Sequence, residues 1–167
     1  MNISPTPESP SVLWPKIERV NVGMFTTVDE HGQLISRPMM NQQVDQSGFL
    51  WFFTSDESKV SHNIAVQPGV NVSYADHDEN LYVSVTGHAE QIKDHDKIRE
   101  LWNPLISAWF PQGIDDPHLI LIKVTIESAE YWDLDPGKAL QLFKLAKAAI
   151  TGKPPEEEPS EHGKINL

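Results

Sequence analysis

Trp51-Phe52-Phe53-Thr54-Ser55-Asp56-Glu57-Ser58-Lys59 joins two patterns within one short stretch. The aromatic run Trp51-Phe52-Phe53 has the composition of a β-strand. The run from Thr54 to Lys59 has the composition of a helix start. Thr54 and Glu57 carry the S/T-x-x-E spacing of a capping box, and Asp56 suits a helix N-terminus. Val60, Ile64 and Ala65 then supply a short apolar face, which Pro68-Gly69 ends. A strand running straight into a helix presents free backbone N–H groups, an arrangement that holds phosphate. Thr54, Ser55 and Ser58 can add hydroxyl donors, and Lys59 adds a charge.

Working outward, the strands before this junction form a meander. Asn21–Val28 is rich in Val, Phe and Thr and reads as a strand. Asp29-Glu30-His31-Gly32 makes a hairpin turn, with Gly32 able to take positive φ. Leu34–Val44 returns, Gln46-Ser47-Gly48 turns again, and Phe49–Thr54 is the third strand. On the return strand, Arg37 can reach bidentately toward the same phosphate. A plainer reading fits the same residues equally well. In it Thr54 or Ser55 merely caps the helix, Lys59 is solvated and Arg37 pairs with an acid. The Met39, Met40, Trp51, Phe52 and Phe53 side chains fit a barrel core. If Phe53 faces that core, alternation turns Phe52 the other way, toward a ligand or a second subunit.

After the junction, Val70–Ala75, Leu81–Ile92 and Leu119–Trp132 read as three further strands. Between the last two, Ile98, Leu101, Trp102, Leu105, Ile106 and Trp109 follow helical spacing, so a helix capped by Asp94 or Asp96 is expected, with Pro104 kinking or dividing it. A short helix is expected over Val12–Val20 and a basic one over Lys138–Ile150. The organisation expected is an N-terminal arm over 1–11, one domain over 12–150, and an acidic, proline-bearing tail over 151–167 whose Lys164–Leu167 can dock as an extended piece. The fold class is mainly β with α (α+β): a six-stranded antiparallel barrel with short flanking helices, a closure that protects strand edges.

Composition narrows the function. The chain has 167 residues and a formal net charge of -11. Such acidity argues against nucleic acid and anionic membranes as partners. It also singles out Arg37 and Lys59, since any anion must be captured locally. There is no cysteine, which excludes thiolate chemistry and disulfides. No leader-like or membrane-length apolar run is visible, so a cytoplasmic protein is expected. Asp76-His77-Asp78 and Asp94-His95-Asp96 sit where turns and caps are expected, and no metal site is assigned to them. No G-x-S-x-G, P-loop or G-x-G-x-x-G motif occurs.

An ordered series of motifs resembles a known family. It comprises Gly23-Met24-Phe25-Thr26-Thr27-Val28-Asp29, Ser36-Arg37-Pro38-Met39, Leu50-Trp51-Phe52-Phe53-Thr54-Ser55 with Ser58-Lys59, Val72-Ser73-Tyr74-Ala75-Asp76 and Tyr82-Val83-Ser84-Val85-Thr86-Gly87-His88-Ala89. Trp102-Asn103-Pro104, Trp109-Phe110-Pro111 and Glu130-Tyr131-Trp132-Asp133 extend it. The series resembles the bacterial general stress proteins of the pyridoxamine 5'-phosphate oxidase-like superfamily. The resemblance implies a split β-barrel homodimer with FMN, or alternatively FAD, at the subunit interface. It implies that Arg37, Ser58 and Lys59 hold the phosphate, that Met39 and Phe53-Thr54 lie along the isoalloxazine, and that Trp109 closes the site, from the partner subunit in one arrangement. It further implies flavin-dependent oxidoreductase chemistry, or a non-catalytic flavin carrier. No arginine–histidine set for pyridoxamine phosphate is found near the tail, which argues against vitamin B6 oxidation. Other readings are a deazaflavin or haem on the same barrel, with His62 or His88 as axial ligand, and an interaction domain without cofactor.

Overall fold

The computed structural model describes residues 10–45, 47–133 and 161–166. Eight strands form one antiparallel sheet: β1 (Val22–Val28), β2 (Leu34–Met40), β3 (Gln43–Asp45), β4 (Phe49–Ser55), β5 (Gly69–Asp76), β6 (Leu81–Ile92), β7 (Leu119–Asp133) and β8 (Glu161–Asn166). The helices are α1 (Leu13–Val20), α2 (Lys59–Val66) and α3 (His95–Leu101). The sheet order is β2-β1-β5-β6-β7-β4-β3, with β8 also on β7. The first half of β7 pairs with β4, and its second half pairs with β8.

The expected count of six strands is corrected to eight for two reasons. The stretch Leu34–Val44 is two strands, not one. Val22 pairs with Met40 at the end of β2, while Gln43 pairs with Trp51 at the start of β3. Between them Asn41 N–H donates to Asn21 O (2.8 Å) and Gln42 N–H to Trp51 O (2.8 Å). The chain thus crosses from one end of the sheet to the other, and a seam stays open between β2 and β4. The eighth strand, β8, lies within the stretch expected as a tail; its Ile165 is fully buried in the main core. The expected helix over Lys138–Ile150 lies outside the described residues.

Inside the barrel, Phe25, Leu50, Phe52, Val72, Val83, Val85, Ile122 and Val124 pack together, closed at one end by Leu13 and Ile17 of α1. Phe25 and Phe52 meet edge to face, 5.1 Å between centroids. The opposite face of β4 and β7 carries a second cluster, Trp51, Leu119 and Leu121, covered by Ile98 of α3. Of the two effects expected of Pro104, division is the one seen: α3 ends at Leu101. Pro104 has no N–H and disfavours a helical Asn103. Asn103 Oδ1 instead accepts from Leu105 N–H (3.1 Å), starting a turn that leads into a single 3-10 turn over Ile106–Ala108.

Candidate functional site

The seam between β2 and β4 opens as a cleft of about 570 Å³. One wall is β2, from Arg37 to Met40, with Gln42 beyond it. The floor is the β4–α2 junction, and the far rim is the segment Leu105–Phe110. All eight residues singled out in the sequence line this one cleft: Arg37, Met39, Phe53, Thr54, Ser55, Ser58, Lys59 and Trp109.

Local chemistry explains how the junction is built. The expected capping box is corrected, because α2 starts later than its spacing suggests. Ser58 is the N-cap, and its Oγ accepts from Ser61 N–H (3.1 Å). Thr54 remains on β4, with its Oγ1 3.0 Å from Ser58 Oγ. Ser55 Oγ accepts from Glu57 N–H (3.2 Å), and Ser55 O accepts from Ser61 Oγ–H (2.7 Å). The hydroxyls therefore brace the junction first and leave the helix end facing the cleft. Lys59 is the first helical residue and is exposed.

Arg37 answers one of the open alternatives. Its Nη1 donates to Thr27 Oγ1 (2.9 Å), which also accepts from Asn63 Nδ2 (2.9 Å). Among the described residues it makes no ion pair with an acid. Partial burial lowers its pKa from the ordinary arginine value, because the charge loses water without gaining a carboxylate. A half-buried guanidinium facing a cleft in this way calls for an anion. Lys59 likewise has no ion pair among the described residues. Among the described residues no Asp, Glu, His or Tyr lines the cleft.

The aromatic alternation runs opposite to the conditional reading. Phe52 is fully buried in the barrel, and Phe53 turns outward to the cleft, edge-on to Trp102 at 5.9 Å. Trp51 is buried too, while Met39 and Met40 border the cleft. Trp109 stands at the rim of its own chain's cleft, 81% exposed. Sequence reasoning missed Gln42 and Phe110 as cleft residues. No local signal marked Gln42, because the break between β2 and β3 shows only in the backbone pairing; adjacency to Trp109 was the signal for Phe110.

The histidine-containing clusters have structural work. Asp76 Oδ1 accepts from Asp78 and Glu79 N–H in a turn, and Asp94 caps α3 by accepting from Asp96 and Lys97 N–H. His62 and His88 both lie outside the cleft. Among the described residues no group of His, Cys, Asp and Glu is arranged to hold a metal, and no helix is long and apolar enough to cross a membrane.

Comparison with known proteins gives a consistent set of similarities. The family described as pyridoxamine 5'-phosphate oxidase like matches residues 8–156. Protein bli-3 of Neurospora crassa is 30% identical over 141 residues, covering 78% of this chain and 68% of that protein. A pyridoxine/pyridoxamine 5'-phosphate oxidase of Shewanella sp. (strain MR-4) is 31% identical over 90 residues, and the match spans 52% of this chain but only 42% of that enzyme. Among solved structures, one described as general stress protein 26 from Jannaschia sp. CCS1 superposes with a TM-score of 0.71 at 30% identity, covering 92% of this chain and 95% of the other. The general stress FMN/FAD binding protein of Xanthomonas citri gives a TM-score of 0.63 at 27% identity, covering 74% and 87%.

Proposed function

The chain belongs to the pyridoxamine 5'-phosphate oxidase-like family, and on that premise we propose that it binds FMN as a homodimer and serves as a flavin-dependent oxidoreductase. The observation that carries the reading is Arg37: half buried, without an acid partner among the described residues, in the same cleft as Lys59 and the start of α2. Arg37, Ser58 and Lys59 would hold the phosphate, with Ser55 beside them. Met39, Phe53 and Thr54 would border the ring system, with Trp109 at the rim. Bound FMN would supply hydride or electron transfer. The name of the Xanthomonas citri relative, an FMN/FAD binding protein, supports a flavin. The cysteine-free sequence is compatible with a reducing cytoplasm, the setting we propose.

A second observation supports the dimer. Across β2, β1, β5 and the first half of β6, the outward residues are uncharged. One row is Pro38, Met24, Ser73 and Ser84, and another is Ser36, Thr26, Asn71 and Thr86. Val22, Met24 and Met40 are 44%, 45% and 36% exposed on this face. An uncharged face on so acidic a chain suits a second copy of itself.

The test is FMN titration of the wild type against Arg37→Ala/Lys59→Ala. Charge-assisted hydrogen bonds are worth about 1.5–3 kcal/mol each, so the double variant should bind at least about a hundredfold more weakly. Unchanged affinity in a folded double variant would sink the site. A non-catalytic carrier is the second reading, favoured by the lack of any Asp, Glu, His or Tyr among the described residues that line the cleft. Consumption of reduced nicotinamide with an acceptor at a catalytic rate would rule it out.

A further inference from the structure

The charge in the cleft is confined to one part of it. Among the described residues, its two ionisable side chains are Arg37, beside Thr27, and Lys59, at the start of α2. Among the described residues, the remaining wall, Met40, Gln42 and Leu105 to Phe110, carries no ionisable side chain lining the cleft. Its polar side chain is already engaged: Gln42 Oε1 accepts from Asn103 Nδ2 (2.8 Å), and Gln42 Nε2 donates to Met40 O (3.0 Å). The rim is apolar and uncovered, with Leu105 65% and Trp109 81% exposed. An anion entering here would lose water and find no charged partner among the described residues. It would also approach against a net charge of -11. A flat uncharged ring would instead cover Trp109 and Phe110 at little desolvation cost.

We propose that the second molecule this cleft accepts, beside the flavin, is an uncharged planar aromatic of the one- or two-ring quinone class, not a phosphorylated or carboxylated compound. The inference rests on the flavin reading, in which the flavin phosphate occupies both cations.

The test uses FMN-loaded, oxidised protein in equilibrium dialysis against two probes of one ring system, 1,4-naphthoquinone and 1,4-naphthoquinone-2-sulfonate. The neutral probe should bind at least about tenfold more tightly, the factor that one unpaired charge at modest cost produces. Leu105→Lys, an exposed position, should narrow that ratio by supplying a cation. In flavin-free protein the ratio should also narrow, because Arg37 and Lys59 are then available to the sulfonate. Equal or tighter binding of the sulfonate to loaded protein overturns the inference and leaves the flavin reading intact. Failure of both probes to bind loaded protein also overturns it. Protein that takes up no FMN overturns the flavin reading, and this inference falls with it.

Discussion

Arg37 shows what one residue reveals and conceals. Its type and its place on the strand neighbouring the β4–α2 junction made a cation beside that junction legible in the sequence. Its half-burial and its partner Thr27 were not, because they depend on β1 lying beside β2. The N-cap was misread for a related reason. Thr54-x-x-Glu57 and Ser58-x-x-Ser61 both offer a hydroxyl at cap spacing, and only the length of β4 decides between them. That length is set by pairing with β7, down to Ser55 opposite Leu119. The same pairing brings His118 to Asp56, Nδ1 to Oδ1 at 2.9 Å. That hydrogen bond first, and the charge of Glu57 next, raise the His118 pKa above its usual value. Folding therefore favours the protonated ring. The stabilisation is fully present below about pH 6.5, the unfolded value, and is lost as pH rises through the higher folded value. NMR titration of the imidazole should give a pKa above that of a free histidine, moving back toward it in Asp56→Asn. An unshifted wild-type value would refute the pairing.

Among the elements, period-2 and helical patterns located the strands β1, β4, β5, β6 and β7 to within a residue or two at each end. Local pattern failed where backbone pairing changes partner. Met40-Asn41-Gln42 looks like continuous strand, but its hydrogen bonds pass from β1 to β4. Gly87 lies inside an alternating run that reads as unbroken, yet a register shift falls there. Thr86 pairs with Ser128 and Gly87 with Ile126, leaving Glu127 as the extra residue of a bulge. Glu127 reaches His88 Nδ1 at 2.6 Å. A Cβ on Gly87 would stand 2.1 Å from Thr125 O, a backbone atom that cannot swing aside. Gly87→Ala should thus cost about 3 kcal/mol in chemical denaturation, the upper range for overpacking. A loss under about 1 kcal/mol would mean that β6 and β7 slide apart easily.

For the whole molecule, the separation of charge matters most: a strongly acidic chain with one uncharged sheet face and one cleft whose ionisable groups, among the described residues, are cations. The sequence made the net charge and the cations plain. The uncharged face was not legible, because it is spread over four strands and appears only in their register. Met24→Glu places a charge in the middle of that face without touching the barrel core. It should convert a dimeric wild type into single chains in sedimentation velocity. A variant that still sediments as a dimer would place the interface elsewhere. The seam between β2 and β4 has a consequence for how the chain folds. Its β2 and β4 walls lie close in sequence, but its rim, Leu105–Phe110, follows β6 and joins them only through long-range contacts of the folded chain. Pairings of that kind are slow, late events in folding. The unfolded chain therefore offers a ligand no partial foothold. Whatever fills the seam acts wholly on the finished molecule, slowing its opening and raising its melting temperature in proportion to the logarithm of ligand concentration, without hastening its formation.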